Sequence, residues 1–340
     1  MKRFICIFLS VLMILAALTL VACNKDDGSL DSDSASNEAT ALKFGLGVYT
    51  KVSGATSATA DGEGQGSAAI TFAAITVDGD GKVVACQLDT ADNTVKYTAD
   101  GKAVSNSEGF KTKYERGASY GMVAYGGAAK EWFEQTDAFE TVVVGKTLNE
   151  IKALVAEGNK GTSDVVTAGC TIMINEFVGA IEKAFANLAD SAATADSTIK
   201  LGINTDQSIK DAAEDANGYN KIETTAFAAA VDANGKVLVA DSDCVQIEFT
   251  FDATGASKFD TTKAVASKRE QGANYGMVAY GNAAKEWFEQ ADAFNALCVG
   301  KTAAEITALC ASDNYGTDEV KNAGCTILVN AFTKAAAKIG

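Results

Sequence analysis

The sequence predicts an α+β protein made by tandem duplication of a domain of about 150 residues, with antiparallel strands first and helices after in each copy. The segments 113–135 and 268–290 are identical at 19 of 23 positions, at an offset of 155 residues. In each copy, β-rich runs around a turn precede capping boxes and an amphipathic apolar pattern. So long a period excludes a solenoid and indicates a duplicated domain.

The first 22 residues have the features of an export signal. Met1-Lys2-Arg3 is positively charged, and 4–20 is an apolar run broken only by Ser10 and Thr19. Its length is typical of a signal-peptide core and short for a membrane span. The run ends at Leu20-Val21-Ala22-Cys23, which resembles the bacterial lipobox.

That resemblance implies cleavage before Cys23, lipidation of its thiol, and a location on the extracytoplasmic side of the cell membrane. Two or more acyl chains would make the anchor stable. The alternative is an ordinary secreted protein with a chance cysteine at this position.

Composition divides the remaining chain into a tether and two repeats. Residues 23–41 are rich in Ser and Asp and almost free of large apolar residues, which predicts a disordered tether. Repeat 1 then covers 42–190 and repeat 2 covers 198–340, joined by a short polar linker at 191–197. A domain of this length can bury roughly 70% of its unfolded surface and can fold alone.

Each repeat is predicted to begin with a β-hairpin. The turns are Asp78-Gly79-Asp80-Gly81 and Asp232-Ala233-Asn234-Gly235. The flanking strands are predicted at 69–77 and 83–88, and at 226–231 and 237–239. Lys82 and Lys236 occupy the fifth position, where an EF-hand loop needs an oxygen ligand. A plain turn is therefore predicted rather than a calcium site.

The second half of each repeat is predicted to be helical. Thr147 with Glu150, and Thr302 with Glu305, are capping boxes that open helices predicted at 148–156 and 303–310. A final amphipathic helix is indicated by apolar residues four positions apart, namely Phe177, Ile181 and Phe185. In the most closely repeated block, four residues lie at helical spacing: Ala128, Trp132, Gln135 and Phe139. This spacing favours a place for them in the core.

The composition excludes several kinds of chemistry. The 340 residues include no His, which excludes Ser-His-Asp and Cys-His catalytic pairs and His-ligated zinc or haem. With 44 acidic against 29 basic residues, the chain has a formal net charge of −15. That balance argues against a nucleic-acid partner. No two carboxylates can be placed as an acid–base pair, so neither a catalytic residue nor a metal site is predicted.

The eight cysteines predict no redox motif, because no C-x-x-C spacing occurs. Cys6 lies in the signal and Cys23 at the lipidation site. The other six thiols could form up to three bridges outside the cytosol. Free buried thiols are favoured, since a domain of this size needs no disulfide.

One short segment recurs directly before the last helix of each repeat: Ala168-Gly169-Cys170-Thr171 and Ala323-Gly324-Cys325-Thr326. Together with the strand–turn–strand order before it, this segment resembles the FMN-binding domain family of Rnf- and Nqr-type subunits and flavinylated lipoproteins. That family ends in Ser/Thr-Gly-Ala-Thr, and a transferase esterifies the FMN phosphate to the Thr. This chain differs from the family pattern at the first and third positions of the segment.

The resemblance implies FMN as a cofactor, attached to Thr171 and Thr326. Its expected binding residues are Gly169, Gly324, Cys170 and Cys325, with Tyr120, Tyr275, Trp132 and Trp287 as candidate stacking partners. The expected function is electron transfer outside the cytoplasm, with a redox protein or small ligand as partner. The alternative is a non-catalytic envelope lipoprotein that binds a ligand or acts as a scaffold and has lost flavin. In that case Thr171 and Thr326 merely begin a strand or cap the helix.

Overall fold

Each repeat folds as antiparallel strands followed by helices, which confirms the predicted α+β class. The computed structural model describes residues 40–340, and these belong to one compact unit. The predicted signal peptide, the lipidation site Cys23 and nearly all of the tether lie outside the described residues.

Repeat 1 runs through β1 Lys43–Thr56, β2 Gly64–Val77, β3 Val83–Tyr97, β4 Ala103–Val104, α1 Lys113–Arg116, α2 Trp132–Val143, α3 Leu148–Lys152, α4 Ser163–Ala168, α5 Asn175–Ala186 and β5 Ala189–Asp190. Repeat 2 runs through β6 Thr198–Lys210, β7 Gly218–Val231, β8 Val237–Phe251, α6 Lys268–Gln271, α7 Trp287–Cys298, α8 Ala303–Thr307, α9 Asp318–Ala323 and α10 Asn330–Ala336.

The strands form one antiparallel sheet in each repeat. The sheet of repeat 1 has the order β4-β3-β2-β1-β5, and that of repeat 2 has the order β6-β7-β8. The strands are longer than predicted, and the sequence did not predict the first strand of either repeat, β1 or β6. Helices α3 and α8 are shorter than predicted, although their capping boxes at Thr147 and Thr302 are confirmed.

The hairpin turns are held by their first aspartate, as expected for a plain turn. The Asp78 carboxylate accepts hydrogen bonds from the N–H groups of Asp80 and Lys82, both at 2.9 Å. Asp232 does the same for Asn234 and Lys236. Backbone donors thus occupy the carboxylate that a calcium loop would direct at the ion.

The two sheets pack face to face, and the helices cover their outer faces. A shared core between the sheets includes Phe44, Phe72, Ile222 and Phe249. Each outer face has its own core against the helices of its repeat. The second halves of the central strands, 68–77 of β2 and 224–231 of β7, are therefore buried on both faces, which explains why these segments contain only apolar residues and Thr.

Contacts between the repeats are reciprocal. The N–H of Ala58 donates to the carbonyl of Gly255 at 2.8 Å, and the N–H of Ala212 donates to that of Gly101 at 2.7 Å. These residue pairs occupy equivalent positions, 154 residues apart. Tyr97 stacks on its own counterpart Phe251, with ring centroids 4.3 Å apart. The interface thus has the self-complementary character of a twofold dimer contact.

Two equivalent ion pairs also join the repeats. Lys183 contacts Glu270 at 2.5 Å, and Lys338 contacts Glu115 at 2.7 Å. Both glutamates belong to the capping boxes of the short helices α1 and α6. The C-terminal end of each repeat therefore helps to hold the short helix of the other.

Glycine allows the last helix of each repeat to lie directly on the first strand. A Cβ added at Gly47 would overlap the Ala180 carbonyl oxygen, and one at Gly202 would overlap that of Ala335. These are backbone atoms of α5 and α10, which cannot rotate away. The missing side chain sets the distance between helix and sheet.

We predict that Gly202→Ala lowers the free energy of unfolding by about 2–4 kcal/mol, because the added methyl forces α10 off the sheet. Urea denaturation followed by circular dichroism measures the change. Gly79→Ala is the control, since a Cβ at Gly79 has no atom within 4 Å and should change stability by less than about 0.5 kcal/mol. Equal effects of the two substitutions would contradict the packing argument.

Candidate functional site

Repeat 2 contains a cleft of about 740 Å³ on the helix-covered face of its sheet. The residues that define its chemistry are Glu223, Lys268, Tyr275, Trp287, Tyr315 and Thr326. Three of the residues expected from the sequence, Tyr275, Trp287 and Thr326, are thus brought together. Apolar side chains including Met277, Ile327 and Leu328 line most of the remaining wall. Such a mixture of apolar walls and a few polar groups is typical of small-molecule sites.

The two candidate threonines are exposed and held in the same way. The Oε1 atom of buried Gln290 accepts from both the N–H of Thr326, at 2.8 Å, and its hydroxyl, at 3.0 Å. Gln135 binds Thr171 at 2.8 and 2.9 Å. Helical spacing indicated only a core role for Gln135. Its contact with Thr171 is not evident from the sequence, because the two residues are 36 positions apart.

Of the residues in these two segments that were expected to bind FMN, only the threonines are exposed. Gly169 and Gly324 end helices α4 and α9 with φ of 112° and 101°. Cys170 and Cys325 are fully buried, and burial raises the pKa of both thiols to about 11. Neither cysteine therefore offers a thiolate to a ligand.

A lysine lies beside each motif. A Cβ added at Gly169 would collide with Nζ of Lys130, and one at Gly324 would collide with Nζ of Lys285. Each ammonium group therefore lies against the glycine two residues before the exposed threonine. These lysines were not among the residues expected from the sequence, although both belong to the repeated block.

A second lysine in each repeat packs on the two candidate stacking residues. Nζ of Lys268 lies 5.1 Å from the Tyr275 ring centroid and 5.7 Å from that of Trp287. In repeat 1, Lys113 lies 5.2 Å from Tyr120 and 5.7 Å from Trp132. These are cation–π distances.

Both tryptophans are largely inaccessible to a ligand. Trp132 is 4% exposed and Trp287 is 5% exposed. Each also contacts a phenylalanine of its last helix, Phe177 or Phe332. The tryptophans thus serve mainly as core, in agreement with the helical spacing, and Tyr120 and Tyr275 are the more open of the candidate aromatics.

In repeat 2 a carboxylate neutralises the buried lysine. Lys268 contacts Glu223 at 2.9 Å, and Lys221 approaches the same carboxylate at 3.5 Å. Burial lowers the pKa of Lys268, but Cys244 and Glu223 raise it more, so the net pKa lies above its ordinary value. Although burial raises the pKa of Glu223, the two lysines bring it below its usual range.

Buried aspartates position the short helices that carry these lysines. Asp89 accepts from the N–H of Tyr114 at 3.2 Å, and Asp243 accepts from that of Arg269 at 3.1 Å. Burial raises the pKa of Asp89 to about 7 and that of Asp243 to about 6. Each aspartate anchors its helix to the third strand of its own sheet.

The described cysteines are free, as the sequence analysis favoured: Cys86, Cys170, Cys244, Cys298, Cys310 and Cys325. Within residues 40–340, no cluster of Cys, Asp and Glu has the form of a metal site. In the same part of the chain, no helix has both the length and the apolar character needed to cross a membrane. No family model, curated protein or solved structure matches this chain.

A further carboxylate, half-buried, lies between helix α2 and the sheet of repeat 1. Glu140 accepts from the Leu88 N–H at 2.6 Å. Burial, reinforced by Asp137 and Asp89, raises its pKa to about 8. Repeat 2 has the neutral Asn295 at this position, which accepts from the Ser242 hydroxyl at 2.7 Å.

We predict that Glu140→Gln stabilises the protein by about 1 kcal/mol or more at pH 8.5 and has little effect at pH 5. The folded state binds more protons than the unfolded state between the ordinary pKa of Glu and about 8, so wild-type stability falls as the pH rises through this window. Urea denaturation at both pH values measures the difference. The exposed Glu108→Gln is the control, and a pH-independent gain for Glu140→Gln would contradict the argument.

Proposed function

We propose that the chain is a lipid-anchored protein of the extracytoplasmic membrane surface that holds FMN at the cleft of repeat 2, and in repeat 1 at Thr171, as an electron carrier. The observation that carries the proposal is the exposed residue Thr326, which lines a cleft of about 740 Å³. This volume lies within the range of clefts that take ligands of flavin size. The anchor itself rests on residues 1–23, through their resemblance to a lipobox.

The residues around Thr326 fit a flavin phosphate ester. Its Oγ1 would lose a proton and bond to phosphorus, displacing the leaving group of an activated flavin phosphate. Lys285, beside Gly324, places a positive charge near the phosphate. Tyr275 and Tyr315 offer ring surface to the isoalloxazine, which supplies one- and two-electron chemistry when bound.

The second candidate function is binding of a different small molecule without redox chemistry. The observation that favours it is the burial of Trp287, which leaves Tyr275 to carry most of the stacking. Lys268 also lies over the Tyr275 ring and restricts a flat ligand there. This candidate keeps the cleft and the anchor but needs no ester at either threonine.

We predict that the protein from Cys23 onward, purified from its native host, carries two flavin phosphate groups, both lost in the double variant T171A/T326A. Intact mass and in-gel flavin fluorescence measure this directly. Native material is needed, because another host can lack a transferase that accepts this sequence.

The matched control is T141A/T307A, which removes two exposed helix threonines that donate to backbone carbonyls. It should retain both groups. An unmodified mass in the wild-type protein would refute the flavin proposal and favour the second candidate function. A single flavin phosphate group in the wild-type protein, lost in T326A and retained in T171A, would restrict flavin to repeat 2.

A further inference from the structure

A second cavity, of about 700 Å³, lies where the connection between the repeats meets repeat 2. Residues of the segment 187–192 form one wall together with Phe44, and the start of β8 and one side of helix α7 form the other. This junction cavity shares no described lining residue with the cleft that contains Thr326. Its volume is in the range of small-molecule sites.

Apolar side chains cover much of the junction cavity: Phe44, Leu238, Val239, Ala296 and Val299. Val299 is 50% exposed, and Leu238 and Val239 are half-buried. Part of this apolar surface is therefore in contact with water. A ligand with an apolar body would gain free energy by covering it.

The charged side chains of the cavity carry an excess of negative charge. Three carboxylates line it, those of Asp190, Asp241 and Asp292, together with the single guanidinium of Arg269. Nη2 of Arg269 lies 2.9 Å from Oδ1 of Asp241 and 2.8 Å from Oδ1 of Asp292. Lys43 approaches Asp190 only to 3.9 Å. One guanidinium thus pairs with two carboxylates and balances only one of them.

The carboxylate of Asp241 has one oxygen available for a ligand. Arg269, the Ser242 N–H at 2.8 Å and the Asn295 amide at 3.4 Å all contact Oδ1. Within residues 40–340 no donor reaches Oδ2, and this atom is not enclosed in the protein interior. An acceptor without a protein donor therefore lies at the cavity.

The ionised form of Asp241 is also incompletely stabilised. Burial raises its pKa to about 6, and Asp292 adds to the rise, although Arg269 and the Ser242 N–H oppose it. The side chain is only 20% exposed, so water compensates for little of the lost hydration. A further cation beside this carboxylate would stabilise its charge.

We propose that the junction cavity binds a primary organic amine with an apolar body, such as an arylalkylamine. The ammonium group donates a hydrogen bond to Oδ2 of Asp241, and the apolar body packs on Leu238, Val239 and Val299. A metal ion fits this cavity less well, because the described carboxylates form no metal-binding cluster and much of the wall is apolar. The site involves neither Thr171 nor Thr326 and does not depend on flavin.

Three probes separate the contributions of the charge and of the apolar body. The unmodified mature protein is titrated by calorimetry with 2-phenylethylamine, with the uncharged 2-phenylethanol and with ethylamine, which has the charge but almost no apolar body. We expect saturable binding of 2-phenylethylamine, at least tenfold tighter than that of either other compound. T171A/T326A should bind 2-phenylethylamine with unchanged affinity.

Substitutions in the cavity test the assignment. D241N removes the charge and keeps the shape of the side chain, and it should weaken binding of 2-phenylethylamine at least tenfold. Its control is D164N, which removes an exposed carboxylate of helix α4 and should leave the affinity within about twofold.

A second variant keeps the test valid if D241N fails to fold. Ala296 is exposed on α7, so A296F should fold and fill part of the cavity, with at least tenfold weaker binding. The matched control is A304F, at an exposed position of α8 outside the cavity. Circular dichroism verifies that each variant is folded.

Equal affinity for 2-phenylethylamine and 2-phenylethanol would overturn the proposal, because the charge would then contribute nothing. Equal affinity for ethylamine would refute the role of the apolar wall. Unchanged binding in a folded D241N or in A296F would place the amine elsewhere on the protein. Since the protein used here carries no flavin, each of these failures leaves the mass measurement on native protein unaffected.

Discussion

The face-to-face contact of the two sheets is the constraint on which the rest of residues 40–340 depends. It buries the inner face of both sheets and leaves the outer faces for the helices. The contact is reciprocal down to single hydrogen bonds, and Tyr97 and Phe251, equivalent residues, meet where the two repeats cross. Through the ion pairs at Glu115 and Glu270, it also fixes the short helices that carry Lys113 and Lys268. Fold and candidate sites are therefore stabilised by the same interface.

In the candidate site of repeat 2, buried polar side chains fix the positions of the more exposed ones. Buried Gln290 fixes the exposed Thr326, and buried Asp243 fixes the helix of Lys268. These supporting groups have no free hydrogen-bonding role toward a ligand, since their oxygens already accept from the backbone. They fix the geometry of the exposed groups, and they do so in the same way in both repeats. A binding site requires such a fixed geometry.

Local patterns made much of the fold predictable, because turns and capping boxes depend on residues three or four positions apart. Asp78 and Thr147 behave as their neighbours in sequence indicate. Strand β1 escaped prediction because Gly47 is placed there by the approach of a helix more than 130 residues later. The lysine–aromatic contacts were missed although Lys113, Tyr120 and Trp132 all lie in the repeated block, since spacing alone does not show which side chains face each other. The presence of Lys113 and Lys268 at equivalent positions was the feature of the sequence that could have indicated these contacts.

The covalent link between the repeats has an evolutionary consequence. In a dimer of identical chains with this reciprocal interface, every substitution would appear in both copies, so neither could change without the other. Fusion of the two copies removes that restriction. The interface contacts have kept their symmetry, while positions such as Ala69 and Glu223, or Arg116 and Gln271, have drifted apart. One repeat can thus change its surface chemistry while the other keeps its own.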